Sequence, residues 1–208
     1  MNIVSDRRFL HETLHKNIDS ILNKRISILG CGALGANLAI SLARRGFKYF
    51  WLVDFDKIEE HNFSTQPWRI QDLGRTKALT LASELYMMTK AQAEIYPSRV
   101  QTARLLQGDA MVDCFDNHEA RKIAQEFSIG YPVVHAGMSN QNTGEVTWDI
   151  RYTVPPDVKL NDPCNYPLSR TLIELTVIAT SESVINFLMT GNKQDYLINA
   201  NKLEIRKI

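Results

Sequence analysis

Six residues, Gly30-Cys31-Gly32-Ala33-Leu34-Gly35, form a GxGxxG. Glycines at that spacing allow a tight turn and let backbone N–H groups approach a phosphate. The run before them, RISIL at 25–29, is short and β-branched, and reads as a buried strand. Residues 33–45 (ALGANLAISLARR) are strong helix formers that stop at Gly46. The loop thus leaves a strand and opens a helix, whose N-terminus adds partial positive charge. Asp54 follows the next apolar run, YFWLV at 49–53. It lies about 20 residues beyond the loop, where a carboxylate can accept from ribose hydroxyls. A glycine turn used only for close strand–helix packing is the plain alternative. Strand, helix and acid together favour a nucleotide, without saying which, and a nicotinamide dehydrogenase is the first reading of the motif alone.

Three further features belong to the same edge of such a sheet. Asp54 is followed by Asp56 and by the polar stretch Glu59-Glu60-His61-Asn62-Phe63-Ser64-Thr65-Gln66. Gly74-Arg75-Thr76-Lys77 stands at a helix start, and Asp113-Cys114-Phe115-Asp116-Asn117 closes a later strand. Strand ends of one parallel sheet converge on the ligand crevice. A lysine near a triphosphate can stabilise charge moving onto it. A carboxylate beside phosphates can hold Mg²⁺, which hydride transfer does not require. Asp56 and Glu59 are equally readable as solvated loop charges. Asp116-Asn117 is equally readable as a helix cap, and the two roles can coexist.

The pieces ILGCGALGANLA, LVDFDKIEEHNFSTQ, LGRTKA, DAMVDCFDNHEAR and PVVHAG, in that order, resemble the ubiquitin-activating family, in its compact bacterial ThiF/MoeB/HesA type. The resemblance covers residues 25–144 well and the flanking parts weakly. It implies an ATP-dependent adenylyltransferase acting on the C-terminal carboxylate of a ubiquitin-like or sulfur-carrier protein with a flexible tail. It implies that Gly30, Gly32 and Gly35 pass close to the phosphates, and that Asp54 binds the ribose. Asn62 and Lys77 would meet phosphate, with Lys77 stabilising the transition state. Asp56 and Gln66 belong to the same nucleotide-binding set, and Asp116 would hold Mg²⁺. Such family members usually dimerise, with an arginine near one N-terminus reaching the other subunit's ATP. Arg8, or Arg7 beside it, stands in that place. The family usually carries Arg-Gln after the asparagine, where this chain has Thr65-Gln66, so one cation at the triphosphate is missing. Arg69 could replace it from the same loop. Larger relatives carry two CxxC pairs for zinc; this chain has none, so no structural zinc is expected.

The elements that must position these residues alternate. Strands are expected at 25–29, 49–53, 93–96, 110–115 and 132–136, and helices at 33–45, 75–89 and 117–127. That alternation predicts an α/β, Rossmann-like, doubly wound and mostly parallel sheet. An amphipathic helix over 7–23 precedes it. Beyond Gly137 the pattern changes. Residues 145–152 (EVTWDIRY) alternate as an antiparallel, half-exposed strand, 155–167 read as a loop, and 168–188 as a long, mostly apolar helix. Residues 192–208 carry no clear pattern. All of 1–208 is expected to be one adenylation domain.

Composition bounds the rest. A chain of 208 residues, 44% hydrophobic and 23% charged, can bury a core without disulfides. Its net charge of +1 gives no global attraction to nucleic acid or an anionic membrane. No signal-peptide pattern opens the chain and no uninterrupted apolar run suggests a span, so cytoplasm is the expected compartment. Cys31 and Cys114 read as packing residues. Cys164, in the loop before the last helix, is either an inert thiol or a nucleophile able to attack an acyl adenylate, as related thioester-forming enzymes do. His61 and His135 show no partner in the sequence. Trp51, Trp68 and Trp148 read as core or interface. Two other functions stay open. A nicotinamide-dependent oxidoreductase explains only the glycine loop and Asp54. A non-catalytic, degenerate binding module would fit Thr65 and the small size.

Overall fold

The computed structural model describes residues 7–16, 18–96, 108–156 and 167–208. An eight-stranded sheet forms its middle, in the spatial order β3-β2-β1-β4-β5-β6-β7-β8. The strands are β1 (Arg25–Leu29), β2 (Tyr49–Val53), β3 (Gln92–Tyr96), β4 (Ala110–Asp113), β5 (Val133–Met138), β6 (Thr143–Trp148), β7 (Tyr196–Asn199) and β8 (Glu204–Lys207). The first five are parallel to one another. From β5 onward each pairing is antiparallel. This is the expected α/β, Rossmann-like class. The last hairpin, β7–β8, fills the stretch that carried no sequence pattern.

The helices are α1 (Leu10–Lys16), α2 (Ala33–Arg44), α3 (Lys77–Thr89), α4 (His118–Phe127) and α5 (Arg170–Thr190). Side chains alternate across each strand, so each parallel strand feeds two cores. Ile26, Ile28, Phe50, Leu52 and Val112 point to the face covered by α2, α3 and α5. Leu29, Trp51, Val53 and Met111 point to the other, where Ala120, Ala124 and Phe127 of α4 meet them. On the antiparallel half, Val146, Trp148, Tyr196 and Ile198 again join the first core. The opposite side of β6–β8 is left as an open groove of about 580 Å³, lined by Arg121, Gly137, Glu145, Leu197, Lys202 and Arg206 among others.

Helix α5 is long and apolar enough, by length and composition, to cross a bilayer. Its residues Thr176, Thr180, Ser181 and Ser183 are nonetheless buried in the protein. Ser183 Oγ accepts from the fully buried Trp148 indole at 2.7 Å, which suits a core helix. Ser169 caps its start by accepting from Leu172 N at 3.1 Å, and Gly191 ends it at φ +77°.

Most boundaries shift by one or two residues, and three differences have a local cause or consequence. The expected N-terminal helix over 7–23 is broken into a 3-10 turn (Arg7–Phe9), α1 and a second 3-10 turn (Ile18–Ile21). With three residues per turn, Ile18 and Ile21 fall on one side, and both are buried. Strand β4 stops at Asp113 because that carboxylate accepts from Phe115 N at 3.0 Å and turns the chain. Strand β6 stops at Trp148, where Asp149 enters a 3-10 turn at φ +48° and holds Val133 N at 2.9 Å.

Candidate active site

The strand order reverses direction between β1 and β4, and the loops leaving β1, β2 and β4 meet there. Gly30 N donates to Val53 O at 2.9 Å, and Cys114 N to Leu29 O at 2.9 Å. Gly30 has φ +93°, and a Cβ there would come within 3.1 Å of Phe115. Gly35 has no room at all: its Cβ would lie 1.8 Å from Gly30 O. The first turn of α2 therefore closes onto its own glycine loop. Gly32, by contrast, faces open space.

Asp54 locks this loop to β2. One carboxylate oxygen accepts from Cys31 N at 2.6 Å and the other from Asp56 N at 2.7 Å. Burial pushes the Asp54 carboxyl above its ordinary value, against the opposing pull of those two N–H groups and of Lys77. Lys77, the first residue of α3, is itself buried, and its Nζ lies 3.0 Å from Asp56 Oδ2. Glycine loop, Asp54, Asp56 and Lys77 thus form one contiguous cluster.

Asn62 and Gln66 are buried beside it. Their side-chain oxygens shape the loop: Asn62 Oδ1 accepts from Glu59 N at 3.0 Å, and Gln66 Oε1 from Trp68 Nε1 at 2.7 Å. The amide N–H side of each is the part able to serve a phosphate. Asp116 is exposed on the turn after β4, while its neighbour Asn117 caps α4 by accepting from Ala120 N at 2.9 Å. The neighbouring carboxylates have other duties: Asp54 holds backbone, Asp56 holds Lys77, and Asp113 holds His135. An exposed carboxylate fits Mg²⁺, which binds through one or two carboxylates plus substrate phosphates.

Three further residues have partners that the sequence did not show. Arg8 donates to Thr89 O at 2.8 Å, at the opposite end of α3 from Lys77. It therefore does not join this chain's own cluster. Arg69 is held by both oxygens of Glu84, at 2.7 and 2.9 Å, because α3 offers that carboxylate directly across the loop. His135, without a partner in the sequence, places Nδ1 2.8 Å from Asp113 Oδ2, both side chains buried. Cys164 lies outside the described residues. Cys31 and Cys114 have thiols pushed up by burial, as packing residues should.

Several residues here were not singled out by sequence. Arg121 Nε donates to Phe115 O at 2.6 Å and its Nη1 to Tyr152 OH at 2.9 Å. Burial opposes the guanidinium, yet Tyr152 and Asp113 hold its pKa above the ordinary value. Tyr152 in turn stacks on His135 at 4.1 Å. One signal was available: Asp113 and His135 are polar residues on neighbouring buried strands, and they pair in register. Asn37 Nδ2 and Arg170 Nη1 both donate to Thr65 O, at 3.0 and 3.3 Å. Nothing local marks those two.

The model of the ThiF family matches residues 6–165. The chain belongs to the ThiF family. Among relatives of this ThiF-family chain, the adenylyltransferase and sulfurtransferase MOCS3 of Danio rerio is 28% identical over 163 residues, 70% of this chain and 35% of that protein. The NEDD8-activating enzyme E1 catalytic subunit of Arabidopsis thaliana is 33% identical over 113 residues, 51% of this chain and 25% of that one. The chain thus spans about a third or less of the length of these two relatives. A crystal structure of E. coli MccB superposes with TM-score 0.82 and 16% identity, covering 100% of this chain and 70% of that one. MccB with ATP gives 0.79 at 16% identity, covering 98% and 71%. At that identity the MccB likeness establishes the shared fold.

Proposed function

We propose that this ThiF-family chain binds ATP and adenylates the C-terminal carboxylate of a ubiquitin-like or sulfur-carrier protein. The observation that carries this reading is the junction of glycine loop, Asp54 and Lys77 at the switch point of the sheet. A dehydrogenase would use the first two and leave a buried, charged lysine without a task. The relatives named as adenylyltransferase or activating enzyme support the same choice.

In this reading the carrier's carboxylate oxygen attacks the α-phosphorus. The bond from that phosphorus to the bridging oxygen breaks, pyrophosphate leaves, and an acyl adenylate remains. Backbone N–H groups of the glycine loop hold the phosphates, and Asp54 accepts from the ribose. Lys77 leaves Asp56 to neutralise the departing pyrophosphate. Asp116 is the residue that would hold Mg²⁺, which supplies further charge neutralisation when bound. In this reading the open groove on β6–β8 takes the carrier's extended tail. In this reading a second copy of this chain receives Arg8, which bonds Thr89 O at the far end of α3 from Lys77.

The test is calorimetry with ATP and Mg²⁺, and separately with NAD, on the wild type, Lys77→Ala and Asp116→Ala. Pyrophosphate exchange with a ubiquitin-like protein ending in Gly-Gly follows. Mg²⁺-dependent ATP binding lost in both variants is expected. Preference for NAD, or ATP binding indifferent to both changes, would overturn the reading. ATP binding without any exchange would leave a binding module in place of an enzyme.

A further inference from the structure

Thr65 stands in the loop that leaves Asn62, and its carbonyl is a meeting point. Asn37 Nδ2 reaches it from the first turns of α2, also bonding Ala33 O at 2.7 Å. Arg170 Nη1 reaches it from the first residue of α5. The two helices lie side by side: Ser41 Oγ is 3.3 Å from Ser181 Oγ, and Arg45 bonds Glu182 at 2.7 Å. Asn37 and Arg170, near the two starts, share Thr65 O, and Ser41 and Arg45 meet Ser181 and Glu182 further along, so the helices run in the same general direction. Their N-termini therefore share one edge of the sheet, the edge of the glycine loop.

The charges at that edge are the reverse of what helix stability favours. Acids belong in first turns and bases in last turns. Yet α2, α3 and α5 carry no acid in their first turns, and α3 and α5 begin with Lys77 and Arg170. Lys77 has Asp56; among the described residues Arg170 pairs with Glu174, an ion pair at 3.2 Å whose members are 49% and 60% exposed. Such an exposed pair holds weakly. A guanidinium fixed at one N–H by Thr65 O, beside the phosphate-facing turn, keeps other donors for an anion.

Resting on the nucleotide reading above, we infer that Arg170 supplies a second cation to the ATP polyphosphate. It enters from α5, some hundred residues along the chain from Thr65, which gives the 62–66 loop no cation of its own. Arg69, the nearer candidate in sequence, is held by Glu84.

The experiment compares ATP and AMP affinities, both with Mg²⁺, for the wild type, Lys77→Ala, Arg170→Ala and the double variant Arg170→Ala/Thr65→Arg. Arg170→Ala is expected to weaken ATP about ten- to hundredfold, the range of a charge-assisted hydrogen bond. AMP affinity should stay within about twofold, because AMP lacks the phosphates in question. Thr65→Arg in the same background should recover most of the loss, which a purely structural role for Arg170 would not allow. Equal losses for ATP and AMP would mean that Arg170 only braces Thr65, and the inference falls. Wild-type ATP affinity in Arg170→Ala, with loss in Lys77→Ala, would remove Arg170 while leaving the nucleotide reading intact. No ATP binding by the wild type would overturn both.

Discussion

Lys77 and Asp56 are joined twice: Lys77 Nζ lies 3.0 Å from Asp56 Oδ2, and Lys77 N donates to Asp56 O at 2.9 Å. The main-chain bond fixes the start of α3 against the loop leaving β2. The side-chain bond parks a buried cation beside the glycine loop, on a carboxylate that is itself 51% exposed and free to yield it. Lys77→Ala should therefore keep the fold, since the backbone bond survives. It should lower pyrophosphate exchange by about 10²- to 10³-fold, the usual cost of losing one donor aimed at developing charge. Unfolding midpoints and exchange rates measured together check this. A large loss of stability with activity intact per folded molecule would contradict it.

Gly35 and Gly32 should separate folding from binding. A Cβ at Gly35 would overlap Gly30 O at 1.8 Å, so Gly35→Ala should cost more than about 3 kcal/mol or fail to fold. A Cβ at Gly32 meets nothing within 4 Å, so Gly32→Ala should leave the urea midpoint close to wild type. Its effect should fall on ATP affinity, because the methyl group enters the path of the phosphates. Equal unfolding midpoints for the two variants would show that the loop geometry is wrong.

Asp54 gives the site a pH signature. Burial raises its pKa in the folded protein above the ordinary value of about 3.9. The folded chain then holds this proton more tightly than the unfolded chain. By linkage the Asp54 contribution to stability increases as pH falls through the folded pKa. Nucleotide binding runs the other way, since a protonated carboxyl is a poorer acceptor for ribose hydroxyls. The ratio of wild-type to Asp54→Asn affinity for ATP should decline toward one on acidification, with its midpoint above about 3.9. A ratio constant from about pH 7 to pH 4 would remove Asp54 from the ribose contact.

Cys31 and Cys114 should resist thiol reagents in the native protein. The chain has three cysteines, and the Cys31 and Cys114 thiols are both pushed up from their ordinary value by burial. Native protein treated with a thiolate-specific disulfide reagent should leave these two unmodified until denaturant is added. A Cys31→Ser/Cys114→Ser variant should retain pyrophosphate exchange. Rapid labelling of Cys31 in the native state would mean that the glycine loop opens far more than its hydrogen bonds to Asp54 and Val53 imply.

Much of this protein is legible without coordinates because its signals are local. Strands β1 and β2 match their apolar runs residue for residue, since β-branched clusters bounded by glycine and polar turns leave few alternatives. The glycine loop and Asp54 follow from the same strands, because a strand end and the turn after it are neighbours in sequence. Lys77 could be placed at a helix start from the glycine before it. These features needed only spacing and residue type.

Other features arise where faces pack, and no period in the chain announces them. The N-terminal segment is split into α1 and two 3-10 turns although its apolar spacing reads as one stripe, and Ile18 and Ile21 are both buried. Asp113 finds His135 only after β4 and β5 lie in register. The open groove exists because α4 covers one half of a sheet whose other half was assembled from β6 and the last hairpin. Arg170 and Thr65 are 105 positions apart, and only the packing of α2 against α5 brings that guanidinium to the loop after Asn62. Local chemistry was written in the sequence; which distant side chains complete the site was decided by the packing of helices on one sheet.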